Sequence, residues 1–499
     1  MANFKELDRD SARQLLRAME GQRVLVVGDG MLDGYVYGAS SRLSPEAPVP
    51  IVQVEREECL LGGAANVAKC LVALGARVSL CCAVGADAQG RQFLDEAGSL
   101  DIDTRLVFRE AALPTTLKTR IVAGRQHVLR LDREGRKPYP AGLLSRMAAA
   151  VGEAARHVDA VLLSDYDKGV LDEQVCAAAI AGAGSKPVLA DPKGQSWRRY
   201  SGVTVLKPNW QEALDFLGSL DPDFKAPEAP EDGAAEAAAQ RLRRELGVKN
   251  VLLTRAARGI SLACADGASF SFPSRAAKVE DEAGAGDVAA AAACLALAAG
   301  ADVPAAAWLG NVAAGVQVAK FGTLTVSDYE ILEALGESFP KSERKLMARS
   351  QAADFAAALR SAGKKVVFTN GCFDILHLGH GTLLEKARQL GDALIVGVNT
   401  DASVRRLKGA DRPINPENDR ARLLTYMACV DAVVFFDEDT PVGLIKAVKP
   451  DVICKGGDYK RKEEIVGWDI VESYGGRAVL IDLLAGRSTS KVIEKASQV

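Results

Sequence analysis

Short, continuous apolar runs recur along the chain, each followed by a polar, glycine-bearing cluster and then by a stretch with helical spacing. Arg23-Val-Leu-Val-Val27, Ala160-Val-Leu-Leu163, Val188-Leu-Ala190, Thr204-Val-Leu206 and Val251-Leu-Leu253 are of this kind. Runs that are apolar without alternation read as strands buried on both faces, as in a parallel sheet covered by helices. The βα alternation predicts a doubly wound α/β sheet. Its polar strand ends gather on one edge, where ligands bind in open sheets. Residues 48–57 and 115–132 break the pattern. They alternate in character, which predicts antiparallel strands with one wet face, inserted as a small β lid or dimer clasp.

The pattern restarts later. Apolar runs at 366–368, Ala393-Leu-Ile-Val-Gly-Val398, Ala432-Val-Val-Phe-Phe436, Val452-Ile453 and Ala478-Val-Leu-Ile481 predict a second, smaller, Rossmann-like parallel α/β domain. The polar segment 336–350, with Pro340, reads as a linker, so the expected domains are 1–335 and 351–499. Residues 1–20 read as a covering helix and 219–235 as an exposed insertion. A chain of 499 residues exceeds one core, and two or three domains are expected.

Composition narrows the classes. Hydrophobic content of 48% and charge of 25% are those of an ordinary globular protein. A net charge of -3 leaves no basic footprint for nucleic acid. Ten scattered cysteines without a CxxC pair, and only four histidines, read as free buried thiols in a reducing compartment rather than a zinc site. No apolar run reaches membrane-spanning length, and the charged first 22 residues do not resemble a signal peptide, so a cytoplasmic location is expected.

The chemistry sits at the strand ends. Gly28-Asp-Gly-Met-Leu-Asp-Gly34 nearly matches a dinucleotide fingerprint but has one residue too many, so a dinucleotide site is not expected. Asp29 and Asp33 there, with Gly63, Asn66, Lys118 and Asp165, are the expected sugar-binding residues, chosen from their strand-end or lid positions. Gly284-Ala285-Gly286-Asp287 opens an Ala-rich helix, where backbone N–H groups converge on an anion. Asp287 suits a general base that takes a proton from an attacking hydroxyl. An N-cap aspartate is the plainer alternative. No GxxxxGK[ST] is present, which excludes a P-loop kinase.

Residues 20–330 resemble the ribokinase-like (phosphofructokinase-B-type) sugar kinases, through Gly62-Gly63 with Asn66, Asn209 with Glu212, and Gly284–Asp287, in the family's order. The resemblance implies that Asp287 is the catalytic base and that Gly284, Ala285 and Gly286 form the anion hole. It also implies that Asn209, Trp210, Gln211 and Glu212 lie at the metal–triphosphate, Glu212 facing the metal. Ala283 stands where the family usually has Thr or Ser.

In the second domain, Thr369-Asn-Gly-Cys-Phe-Asp-Ile-Leu-His-Leu-Gly-His380 joins a strand to a helix through a glycine turn, again a phosphate-binding geometry. His377 and His380, three apart, would share a helical face. The stretch resembles the cytidylyltransferase-like family, through Gly371, Phe373, Asp374, His377, His380 and Ser488-Thr489-Ser490. That implies two catalytic histidines on a triphosphate, capped by the Ser/Thr segment. Asn399, Asp401, Lys408, Lys455 and Asp458 complete the expected nucleotide site.

Nearly the whole chain resembles the bifunctional heptose-phosphate kinase/adenylyltransferase family, with Ser41-Arg-Leu-Ser-Pro-Glu-Ala-Pro-Val-Pro50 and Lys455-Gly-Gly-Asp-Tyr459 among the supporting phrases. The resemblance implies sugar phosphates and ATP as small-molecule ligands, Mg²⁺ in both steps, and no nucleic-acid or membrane partner. The inserted strands add the expectation of a homodimer through the kinase domain. Another sugar phosphate, or CTP, stays open, as does a first domain reduced to sensing or dimerisation.

Overall fold

The computed structural model describes residues 6–124, 126–135, 138–221, 229–275, 278–320, 324–456, 459 and 461–481. The chain divides into two compact units, Met1–Gly336 and Glu337–Val499.

In the first unit nine strands form one sheet. From edge to edge they are Ser269–Phe272, Ile260–Ala263, Asn250–Thr254, Val205–Leu206, Val188–Asp191, Ala160–Ser164, Arg23–Gly28, Arg77–Gly85 and Val107–Glu110. All pair in parallel except the first two, which add antiparallel. The first strand in sequence lies inside the sheet, between Ala160–Ser164 and Arg77–Gly85. Chain connections therefore leave it in both directions, and its carboxyl end opens on the crevice where such sheets bind ligands. Val24, Leu25, Val26 and Val27 are fully buried, as their unbroken apolar run requires. The helix Ala285–Ala298 is buried along almost its whole length, and its alanines let it sit close to its neighbours.

A separate four-stranded sheet has the order Pro50–Gly63, Gly30–Leu43, Leu117–Ala123, Gln126–Arg133. The near-fingerprint after Gly28 is thus the start of a 14-residue strand and not a loop, which local composition hides because the strand is rich in glycine and serine. Register fixes its faces. Asp33 pairs with Lys118 and Lys118 with Asp132, while Thr119 pairs with Leu131 and Ile121 with Leu129. Paired residues share a face. One face is therefore charged (Asp33, Lys118, Arg120, Arg130, Asp132), and the other carries Leu129 and Leu131, which are 53% and 52% exposed.

The second unit has a five-stranded parallel sheet in the order Ala432–Phe436, Ala393–Asn399, Val366–Gly371, Val452–Gly456, Arg477–Ile481. Its first strand is again central, so the turn after Gly371 stands at the switch point. The segment read as a linker folds with this unit: Met347 N–H donates to Val433 O (2.9 Å), and a helix starts at Arg349. All ten cysteines are free.

Candidate active sites

In the first unit, Gly284 takes φ 79°, a left-handed conformation that a side chain would strain, and turns the chain into the helix Ala285–Ala298. Asp287 therefore lies in the first helical turn beside the free N–H groups. Its two oxygens are held from different elements. Tyr166 OH donates to Oδ1 (2.7 Å) and Asn66 Nδ2 to Oδ2 (2.6 Å). Burial raises the Asp287 carboxyl, against these two bonds and the charge of Lys207, with the charge of Asp33 adding to the rise. A raised, oriented carboxylate is what a general base needs.

Tyr166 was not singled out in sequence, nor were Lys207 and Asp191 as a pair. Lys207 Nζ lies 2.9 Å from Asp191, and a side-chain carbon built on Gly286 would meet that ammonium at 3.7 Å. The cation thus sits beside the glycine turn, where a transferring phosphoryl group would carry its charge. Burial pushes the Asp191 carboxyl up to about 7, opposed by Lys207 and reinforced by the charges of Asp287 and Glu212. Strand-end position was the available signal for both residues, but their contact is tertiary.

Asn209, Trp210, Gln211, Ala285 and Gly286 line one cavity of about 500 Å³, walled also by Val279, Ala289 and Val318. Its size and mixed lining suit a nucleotide. Glu212, expected as a metal ligand, has another task. Its Oε2 accepts from Asn209 N–H (2.9 Å), closing a capping box, and its Oε1 accepts from Lys193 Nζ (2.6 Å). Direct ligation through either oxygen would compete with these bonds, whereas contact through a metal-bound water would keep them. Among the described residues no group of three metal-binding side chains exists. The donor set, Asp191 with Glu212, fits a Mg²⁺ carried in by a triphosphate and its waters rather than a protein cage.

Three residues expected at the sugar have structural engagements. The carboxylate of Asp29 accepts N–H bonds from Tyr166, Lys168 and Val170 (2.9, 2.9 and 3.0 Å), which shapes the loop carrying Tyr166. Asp165 is engaged by Arg199, by Tyr200 OH (2.5 Å) and by the N–H of Asp167 (2.8 Å). Gly63 has φ 60°, and a side-chain carbon there would come within 2.3 Å of Asp29 O, so its small size serves chain packing. Asn66 bonds Asp287, Asp287 feels the charge of Asp33, and Asp33 pairs in register with Lys118. Asp33 pairs with Arg120 (2.5 Å), and Asn66 Oδ1 is buried without a partner among the described residues.

In the second unit, His377 is the N-cap of the helix Leu378–Arg388 rather than part of it. Its Nδ1 accepts from Gly379 N–H (3.1 Å), and His380 Nδ1 accepts from His377 N–H (3.3 Å). The rings stack with centroids 4.0 Å apart, and Phe373, at φ 47°, packs on His380. A His380 Nδ1 that accepts leaves the proton on Nε2. Burial, then the charges of His377 and Lys408, lower His380 to about 4. The ring is therefore a neutral hydrogen-bond donor at physiological pH, set at a helix N-terminus that attracts phosphate. Lys455 Nζ donates to Asn370 O (2.6 Å) beside the same turn, and burial lowers it to about 8.

The remaining expectations divide. Asp374 is buried and bonded to Arg412 Nε (2.5 Å) and to the N–H groups of Ile414 and Asn415 (2.7 and 3.0 Å), so it holds a loop. Asn399 is buried and bonded to Ser403 Oγ (3.0 Å). Asp401 Oδ1 accepts from Arg420 (2.7 Å), a fully buried guanidinium that also donates to Cys372 O (2.5 Å) and Asn415 O (3.0 Å). Arg420 and Arg412 thus organise the turn, a role invisible without the fold. Gly371 ends the central strand. Asp458, Ser488, Thr489 and Ser490 lie outside the described residues.

Comparison with known proteins gives the same division. Residues 22–329 match the pfkB family of carbohydrate kinases and residues 368–485 the cytidylyltransferase-like family. The chain is 43% identical to the bifunctional protein HldE of Pelobacter propionicus, covering 98% of this chain and 99% of that one. It is 46% identical to HldE of a Caulobacter species, covering 97% and 98%. The first unit shares its fold with Arabidopsis thaliana ribokinase complexed with ribose and ATP (TM-score 0.50, 21% identity, 64% of this chain and 100% of that one). It also shares it with Escherichia coli phosphofructokinase-2 in complex with fructose-6-phosphate (TM-score 0.51, 15% identity, 63% and 98%). The chain belongs to the bifunctional HldE family, a pfkB-type carbohydrate kinase followed by a cytidylyltransferase-like nucleotidyltransferase.

Proposed function

We propose that this enzyme carries out two steps of ADP-heptose synthesis for the lipopolysaccharide core. In the first unit, Asp287 takes the proton of the C1 hydroxyl of D-glycero-D-manno-heptose 7-phosphate. The hydroxyl oxygen attacks the γ-phosphorus of ATP, and ADP leaves. The helix N–H groups and Lys207 stabilise the charge on the moving phosphoryl group. A separate phosphatase then removes the 7-phosphate. In the second unit, an oxygen of heptose 1-phosphate attacks the α-phosphorus of ATP and pyrophosphate leaves, giving ADP-heptose. His377, His380, Lys408 and Lys455 orient the phosphates and spread their charge, and no protein nucleophile is needed.

Mg²⁺ would supply charge neutralisation on the triphosphate, and Asp191 and Glu212 are the residues that would hold it in the first unit. The observation that carries the kinase reading is the Asp287 carboxylate held by Tyr166 and Asn66 at a glycine-turned helix start. The exposed apolar face of the small sheet, with Leu129 and Leu131, supports a homodimer formed through the first unit. No helix among the described residues is long and apolar enough to cross a membrane, and a cytoplasmic enzyme is the reading we adopt. Pyrophosphate release from heptose 1-phosphate should be much faster with ATP than with CTP; equal or reversed rates would sink the adenylyl assignment.

A further inference from the structure

The kinase reading leaves one chemical demand unmet. A sugar phosphate whose acceptor hydroxyl lies at Asp287 carries a second, dianionic group away from the reaction, and a phosphate held by protein needs cations. The nucleotide cavity cannot supply them to the sugar, because its lining comes from residues 209–318 and includes none from the four-stranded sheet. The charged face of that sheet is the remaining source. It lies toward the reaction centre: a side-chain carbon on Gly62 would meet the Asp33 carboxylate, Gly62 leads into the helix of Asn66, and Asn66 bonds Asp287, whose charge environment includes Asp33.

On that face the cations differ in how they are used. Arg120 is committed to Asp33 (2.5 Å) and Arg130 to Asp132 (2.8 Å). Lys118 stands between them in register, opposite Asp33 on one side and Asp132 on the other, partly buried, and makes no ion pair or hydrogen bond among the described residues. Lys168 approaches the same place from the loop that carries Tyr166. Its N–H is fixed on Asp29 (2.9 Å), and its ammonium pairs with Glu134 (2.5 Å). Asp132 feels both lysines. Two ammonium groups from different elements thus both lie near Asp132.

We infer that Lys118, with Lys168, forms the subsite for the phosphate that the sugar already carries, and so selects sugar phosphates over free sugars. This rests on the kinase reading above. The test uses the full chain, with heptose 7-phosphate and unphosphorylated heptose as acceptors. Lys118→Met should lower kcat/KM for the phosphorylated sugar about 10²-fold, mostly through KM, and much more than for the free sugar. Lys118→Arg should restore much of the discrimination, and adenylyl transfer to heptose 1-phosphate should not change. Binding of inorganic phosphate to the ADP-loaded chain should lose a component in Lys118→Met. If wild type ignores heptose 7-phosphate while that component still depends on Lys118, the heptose reading falls and the subsite stands. Unchanged KM for the phosphorylated sugar, or equal losses on both sugars, overturns the subsite.

Discussion

Single residues decide the chemistry at both sites, and the decisive ones were unequally visible in the sequence. Asp287 and the two histidines stand in short patterns whose residue types match a chemical need. Asp29 and Asp165 look just as apt at strand ends, yet their donors lie far along the chain, at Tyr166, Lys168, Val170 and Arg199, Tyr200. Whether a carboxylate serves ligand or protein depends on those distant partners. Lys207 was hidden for the same reason. Lys207→Ala should reduce kinase turnover roughly 10²–10³-fold while KM for the sugar changes little, as for loss of a charge stabiliser; a change confined to KM would make it a binding residue. Lys455 gives a pH signature. Its ammonium, lowered to about 8, is lost as pH rises through that value. Adenylyl transfer by the free enzyme should therefore decline above about pH 8, and Lys455→Arg, charged throughout, should remove that decline. An identical alkaline limb in the Arg variant would assign it to another group.

At the level of elements, apolar runs placed most parallel strands, because a strand buried on both faces has few alternatives, but Arg77–Gly85 and Val107–Glu110 were missed. The sheet Gly30–Leu43 with its partners was only half legible. Three of its strands fall in the alternating stretches, whereas Gly30–Leu43 is held by pairing on both sides, with register shifts against Pro50–Gly63 and in parallel, not the expected antiparallel, with Leu117–Ala123. The turn after Gly371 shows the converse, a loop held by a helix. Arg420, within Glu417–Thr425, is fully buried and bonds Asp401, Cys372 O and Asn415 O. Arg420→Met would strand the Asp401 carboxylate and two carbonyls. It should cost about 3–5 kcal/mol of second-unit stability, seen in thermal unfolding followed by calorimetry. It should also reduce adenylyl transfer more than kinase activity. A variant as stable and active as wild type would reduce Arg420 to packing.

For the whole molecule, the account is of two chemically separate sites on one chain, each built at the switch point of its own parallel sheet. On the proposed reaction sequence a phosphatase acts between them, so the first product leaves and the sites need not communicate. The order of domains was legible because each carries its own motif; the assignment of residues 337–350 to the second unit was not, since their polar composition conceals the pairing at Val433. The central claim is tested most directly by mass-resolved product analysis. Full-length wild type, Asp287→Asn and His380→Ala are each supplied with ATP and Mg²⁺, once with heptose 7-phosphate and once with heptose 1-phosphate. The account predicts that Asp287→Asn loses heptose 1,7-bisphosphate formation by about 10²–10⁴-fold and still makes ADP-heptose, and that His380→Ala does the reverse. Loss of both products in either well-folded variant, or formation of neither product by wild type, would contradict it.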